Sequence, residues 1–314
     1  MTTFLVTGGA GFIGSHLCDR LLAEGHRVIA VDDLTTGRIA NIGEARGYGK
    51  EFTFFNMDIR ADGLLPLFER HRPEVVMHLA AQSGVRPSLD SPHFDASVNI
   101  MGTLNVLECC TRTGVRKVVY AASGGTLYGE PKKIPVKETA ASAGQPLSPY
   151  GISKRIIVDY LGFYERNRGI DFTALALANV YGPRQDPTGE AGVIAIFSSK
   201  MLAGEAPAIF GDGDQTRDYV FIDDVVHGFA LAADKGSGRL INIGTGVETS
   251  VNGLYRMLSD LTGFSGEPGH GPAPAGELRR CALDNKLAAE ALGWRPWTHL
   301  EDGLGETVAF IKGV

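Results

Sequence analysis

The sequence predicts a doubly wound α/β (Rossmann) fold, a parallel sheet with a smaller C-terminal substrate-binding lobe. Three observations predict it. Short apolar runs alternate with helical patterns over the first 180 residues. The runs are apolar almost without interruption, as in strands covered on both faces. A glycine-rich turn, TGGAGFIGSHL, follows the first run and opens a helical pattern.

The strands are FLVTG (4–8), RVIAVD (27–32), FTFFNMD (52–58), EVVMHLA (74–80), KVVYAAS (117–123) and FTALALA (172–178). Helical patterns lie between them near 12–24, 92–113 and 148–167. After residue 180 the pattern changes. Gly and Pro crowd YGPRQDPTGEAG and FSGEPGHGPAPAGE (264–277). Short strands near 208–210, 219–222 and 239–243 mix with helices near 192–203, 223–234, 251–262 and 285–292. The expected division is a Rossmann domain over 1–180 and a lobe made mainly from 181–314. Later chain crossings into the first domain are expected near 223–243.

Composition narrows the function classes. Thirty Lys and Arg against thirty-six Asp and Glu leave a net charge of −6, which disfavours a nucleic-acid-binding surface. No apolar run reaches the roughly 18 residues of a membrane span. The first residues enter a strand with no basic leader or cleavage site, so cytoplasm is the expected compartment. Cys18, Cys109, Cys110 and Cys281 have no metal or redox spacing, and the eight histidines form no HxxxH or HxH cluster. No metal is expected.

Gly8, Gly11 and Gly14 form GxxGxxG at the first strand–helix turn. Glycine there lets the backbone approach a pyrophosphate, and the helix N-terminus faces its negative charge. Phe12 and Ile13 open that helix. Asp32 ends the second strand, where an acid accepts hydrogen bonds from adenine-ribose hydroxyls and disfavours a 2′-phosphate; the expected cofactor is therefore NAD. Asp33 beside it suits a turn acid at the same edge. Asp58, with Ile59, follows the third strand, where the acid can accept from the adenine amino group.

SPYGISK places Tyr150 and Lys154 four residues apart on a helix, hence on one face. A tyrosine ordinarily titrates near 10. A nearby ammonium and a positive nicotinamide ring would both lower that value, making Tyr150 a general base for a sugar hydroxyl.

Together TGGAGFIG, VDDLTTG, HLAA, the YG element at 128–129, SPYGISK, NVYGPRQ and GDGDQTRDYVFIDDV resemble the extended short-chain dehydrogenase/reductases, most nearly the UDP-glucose 4-epimerase group. The likeness runs from Phe4 to LGWRP at 292–296, with the motifs in the expected order. It implies an isomerase acting on a UDP-hexose, with N-acetylhexosamines in reach. Tyr150 would take the O4 proton as C4 gives hydride to NAD, and the 4-keto sugar would turn over before hydride returns. It implies that Leu79, Ala80 and Ala81 line the cofactor site. It implies a homodimer through a four-helix bundle of the helices near 92–113 and 148–167.

The same resemblance assigns the substrate side. Asn179 and Arg217 match groups that hold the diphosphate, and Phe210 suits a uracil platform. Cys281 stands where a small side chain leaves room for a 2-acetamido group. Glu277 can bind ribose hydroxyls, but the arginine usual three residues earlier is Pro274, which leaves Arg279 or Arg280 to compensate. Arg86 lies near the sugar pocket and keeps a uronic acid substrate, as for a UDP-glucuronic acid 4-epimerase, as the alternative. Other nucleotide-sugar chemistries, including dTDP-deoxysugar synthesis, remain a further alternative. A non-catalytic NAD-binding regulator is the third reading, and the intact Tyr150 and Lys154 speak against it.

The loop YAASGGTLYG carries Gly124, Gly125, Thr126 and Leu127 where related dehydratases and decarboxylases carry acids. Without a carboxylate, elimination loses its acid and base, which favours simple oxidation and re-reduction. The hydroxyl that many relatives place at 124 is also absent. Ser123 or Thr126 can take its role, and Ser123 is preferred because it ends a strand.

Overall fold

The computed structural model describes residues 1–142, 144–188, 192–272 and 278–313. A seven-stranded sheet forms the centre, built from β1 (Thr3–Thr7), β2 (Arg27–Asp32), β3 (Phe52–Asn56), β4 (Val75–His78), β5 (Lys117–Ser123), β6 (Asp171–Leu177) and β11 (Arg239–Ile243). Six short strands complete the set: β7 (Asn179–Tyr181), β8 (Ala208–Phe210), β9 (Thr216–Arg217), β10 (Tyr219–Phe221), β12 (Thr249–Ser250) and β13 (Gly269–Gly271). The sheet order is β11-β6-β5-β4-β1-β2-β3, and every pair is parallel. The chain winds outward from β1 through β2 to β3, then crosses to β4 and winds the other way. That reversal opens a crevice at the carboxyl ends of β1 and β4, where doubly wound sheets bind ligands.

Successive strand residues face opposite cores. Phe4 and Val6 join one buried cluster with Val28, Ala30, Val75 and Met77, while Leu5 joins another with Ile29, Val31 and Val76. Burial on both faces is why these strands read as unbroken apolar runs rather than alternating ones.

The chain re-enters the sheet after residue 181. β11 pairs with β6, and the preceding helix Ile222–Ala232 packs on helix Phe12–Ala23. Several elements depart from the sequence reading, among them three helical stretches. The stretch 92–113 is not one helix; it runs as Pro92–Ala96, a π-helical turn Ser97–Met101, and Gly102–Thr113. Helix Leu64–His71 was hidden by its internal Pro66, which the first turn tolerates. Helix Leu300–Lys312 was hidden by Gly303 and Gly305, poor helix formers. Packing explains Gly303: a Cβ there would stand 2.8 Å from Phe221 Cδ2 and run into the Tyr181 hydroxyl.

Candidate active site

The crevice begins at Thr7. Its hydroxyl accepts from the Leu79 and Ala80 amides at 3.2 Å each, which joins the end of β1 to the end of β4. Gly8 follows with φ +70°, and a Cβ on it would stand 2.9 Å from the Ala80 nitrogen. Gly14 packs so closely under this turn that any side chain would overlap the Gly8 carbonyl. A Cβ on Gly11 would meet only the Gly8 carbonyl oxygen, at 3.2 Å. Helix Phe12–Ala23 has no side-chain cap at Gly11, so its first amides remain to serve an anion. Phe12 and Ile13 pack their side chains on the core behind.

Asp32 is buried at the tip of β2. Its Oδ2 accepts from the Ala10 amide at 3.0 Å and its Oδ1 from the Leu34 amide at 2.8 Å. Burial pushes its carboxyl up, and these amides pull it back. Asp33 is exposed and accepts from the Thr35 amide, so it caps the turn. Asp58 is engaged by a fork from Arg60, whose Nε lies 3.0 Å from each carboxylate oxygen. That guanidinium holds the Asp58 carboxyl below its usual range. Ile59 is buried beside Gly102. Ala81 follows Ala80 and is half-buried at the mouth of the crevice.

Tyr150 and Lys154 enter from helix Pro149–Arg168. Ser148 caps that helix by accepting from the Gly151 amide at 3.1 Å. The Ser123 hydroxyl at the end of β5 lies beside the Tyr150 phenol and favours its ionised form. Lys154 is buried; its Nζ donates to the Ala121 carbonyl at 2.8 Å and lies 5.7 Å from the Tyr150 ring and 4.9 Å from the Tyr120 ring. In the protein alone, burial pushes Tyr150 up to about 12, against the pull of the Ser123 hydroxyl, and pushes Lys154 down to about 7. Desolvation outweighs the local partners because both groups lose water and neither gains a contact ion pair.

Thr126 occupies a different position. Its hydroxyl is buried and has no hydrogen-bond partner among the described residues. Gly124 explains the missing hydroxyl in this loop. Its amide donates to the Leu177 carbonyl at 2.8 Å, and a Cβ on it would stand 3.0 Å from that oxygen and overlap the Leu283 Cδ1 methyl.

On the other wall, Asn179 opens β7, and its amide donates to the Asp218 carbonyl at 2.9 Å. Arg217 lies in β9 and its field reaches the buried Cys281 thiol, whose Sγ is 4.0 Å from the Gly124 carbonyl. Phe210 stays 45% exposed at the end of β8. Arg86 is exposed on helix Val85–Asp90. Arg279 and Arg280 are paired with Asp212 and Glu248. Glu277 and Pro274 lie outside the described residues. Among the described residues no cluster of His, Cys, Asp and Glu could hold a metal, and no helix is long and apolar enough to cross a membrane.

Residues 4–244 match the sequence profile of the NAD dependent epimerase/dehydratase family. The chain belongs to this family. The UDP-glucose 4-epimerase of Mycolicibacterium smegmatis is 48% identical over 309 residues, 98% of each chain. The crystal structure of UDP-glucose 4-epimerase with UDP-glucose from Thermotoga maritima superposes with a TM-score of 0.95 at 45% identity, covering 99% of both chains. That of Thermus thermophilus UDP-glucose 4-epimerase complexed with NAD gives 0.91 at 39% identity, again over 99% of both. The epimerase/dehydratase cofactor fits the cradle on its own terms: bare Gly11, uncapped helix amides and a buried acid at the ribose edge.

Sequence reasoning missed a set of buried polar groups under the site. Asp95, Asn99, Thr103, His78, Tyr120 and Ser153 all lie there. The available signal was the pair Asp95 and Asn99, four residues apart in an otherwise helical stretch, where two buried polar groups are unusual.

Proposed function

We propose that this protein is an NAD-dependent UDP-hexose 4-epimerase of the UDP-glucose/UDP-galactose type. One observation carries the reading. The Ser123 hydroxyl stands beside the Tyr150 phenol and favours its ionised form, in a loop whose next four residues hold no carboxylate. Such a site can move one proton at a sugar hydroxyl, and it lacks the acid and base an elimination needs.

NAD, held at the glycine turn and Asp32, would supply the hydride acceptor and donor for the sugar C4. The chain does the rest. Tyr150 receives the O4 proton through Ser123 and gives it back after the sugar has turned. Lys154 supplies positive charge that favours the phenolate. Asn179 and Arg217 hold the diphosphate while the keto sugar rotates, and Phe210 offers a ring face to uracil. Asp32 receives the adenine-ribose hydroxyls. Compact Cys281 leaves space beside the sugar that an acetamido group can use.

The protein acts as a homodimer in this reading. Ile152, Ile156 and Phe163 form an exposed apolar stripe along helix Pro149–Arg168, and Phe94 and Met101 are exposed on the neighbouring 92–113 segment. Such a face favours a second copy. Cytoplasmic residence agrees with four cysteines that are all free.

The test is incubation with UDP-glucose, UDP-N-acetylglucosamine, UDP-glucuronate and dTDP-glucose, followed by proton NMR. The expected result is formation of UDP-galactose from UDP-glucose. Conversion of the uronate alone would move the assignment to that substrate, and bound NAD without any turnover would make the protein a regulator.

A further inference from the structure

Against the helix that carries Lys154, bonded to its neighbour Ser153, lies a buried acid that the chemistry above does not use. Asp95 is 1% exposed, on helix Pro92–Ala96, which packs against the helix carrying Tyr150 and Lys154. Its Oδ2 accepts from the Ser153 hydroxyl at 2.5 Å, and its Oδ1 accepts from the Asn99 side-chain amide at 3.0 Å. Asn99 is itself anchored, since its side chain bonds both the amide and the carbonyl of Gln82. The carboxylate is therefore held in one place and tied to the residue that precedes Lys154.

Lys154 needs such a neighbour. A buried ammonium without an opposite charge sheds its proton. Its direct contacts, the Ala121 carbonyl and the Tyr120 ring, are polar or polarisable but carry no formal charge. The titratable groups around it are Tyr150 on its own helix, Tyr120 on β5, His78 on β4 and Asp95. In the protein alone, burial disfavours both phenolates and pushes His78 down to about 3, so none of the three supplies a counter-charge to Lys154. Asp95 is left as the counter-charge: burial pushes its own carboxyl up, the Ser153 hydroxyl, the Lys154 charge and the Asn99 amide pull it back, and its field raises Lys154 and Tyr150 alike.

We propose that Asp95 is a positioning residue for the reaction, a fixed buried carboxylate that keeps the Lys154 ammonium charged. The proposal rests on the roles given above to Tyr150 and Lys154. Removing the negative charge makes both groups give up their protons more easily. Both limbs of the pH profile then move the same way, towards lower pH.

The test compares Asp95→Asn with Ser153→Ala. Asp95→Asn removes the charge and keeps the shape; the profile of kcat/KM should move to lower pH by about one unit or more. Ser153→Ala keeps the carboxylate and should leave the profile in place. The Lys154 titration, followed by 13C NMR of ε-13C-lysine-labelled protein and assigned with Lys154→Met, should fall in Asp95→Asn without any turnover being needed. Asp95→Ser is the second neutral replacement should the Asn variant fail to fold. An unshifted profile and an unshifted Lys154 in the neutral variants, or an equal shift in Ser153→Ala, would overturn the proposal. A wild type with no epimerase activity would defeat the proposed function yet leave the NMR comparison standing. An active, Tyr150-dependent wild type with unshifted neutral variants would defeat the role of Asp95 alone.

Discussion

The Ser123 hydroxyl at the end of β5 lies beside the Tyr150 phenol on helix Pro149–Arg168 and favours the phenolate. Three residues further along the loop, the Thr126 hydroxyl is buried without a partner among the described residues. This asymmetry separates two side chains that are equivalent on paper. Ser123→Ala should lower kcat by roughly 100-fold with little change in KM, because the lost hydroxyl matters chiefly while the proton moves. Thr126→Ala should mainly raise KM. Steady-state kinetics of both variants check this, and the opposite pattern would transfer the relay to Thr126.

Tyr150→Phe removes one oxygen and leaves the ring in place. Turnover should be lost while NAD remains bound, since the cradle residues of β1, β2 and β4 are untouched. Retained activity within tenfold of wild type, alongside normal cofactor content by absorbance and mass spectrometry, would contradict the assignment.

Gly124→Ser restores a hydroxyl at the position where many relatives carry one. The structure gives that side chain no room, between the Leu177 carbonyl and the Leu283 methyl groups. The variant should lose about 1–3 kcal/mol of stability through overpacking. Leu283→Ala in the same chain should recover part of the loss that Gly124→Ser causes, as read by urea denaturation of the single and double variants. Independent, additive effects would show that the two residues do not compete for space.

Ile156→Glu with Phe163→Glu should yield a folded monomer. Each side chain contributes about 1.5–3 kcal/mol if buried on association. Losing two from each protomer should weaken a dimer by more than ~1,000-fold. Sedimentation of wild type and variant at several concentrations measures it; a wild type that remains monomeric at every concentration would remove the proposed interface.

The sequence by itself determined what depends on near neighbours. Unbroken apolar runs named the strands of the sheet, because a strand covered on both faces must be apolar at every position. The glycines at 8, 11 and 14 named the cradle, because only a bare backbone makes that turn. The four-residue spacing of Tyr150 and Lys154 named the pair, because helix geometry puts both on one face. Tertiary structure decided whatever depends on residues distant in the chain. It set Ser123 beside Tyr150, bonded Asp95 to Ser153 across 58 residues of chain, and placed Leu283 where a side chain at 124 would go. It also set the burial cost of the Tyr150 phenolate, which is a sum over every element packed around the phenol, and no local spacing records that sum.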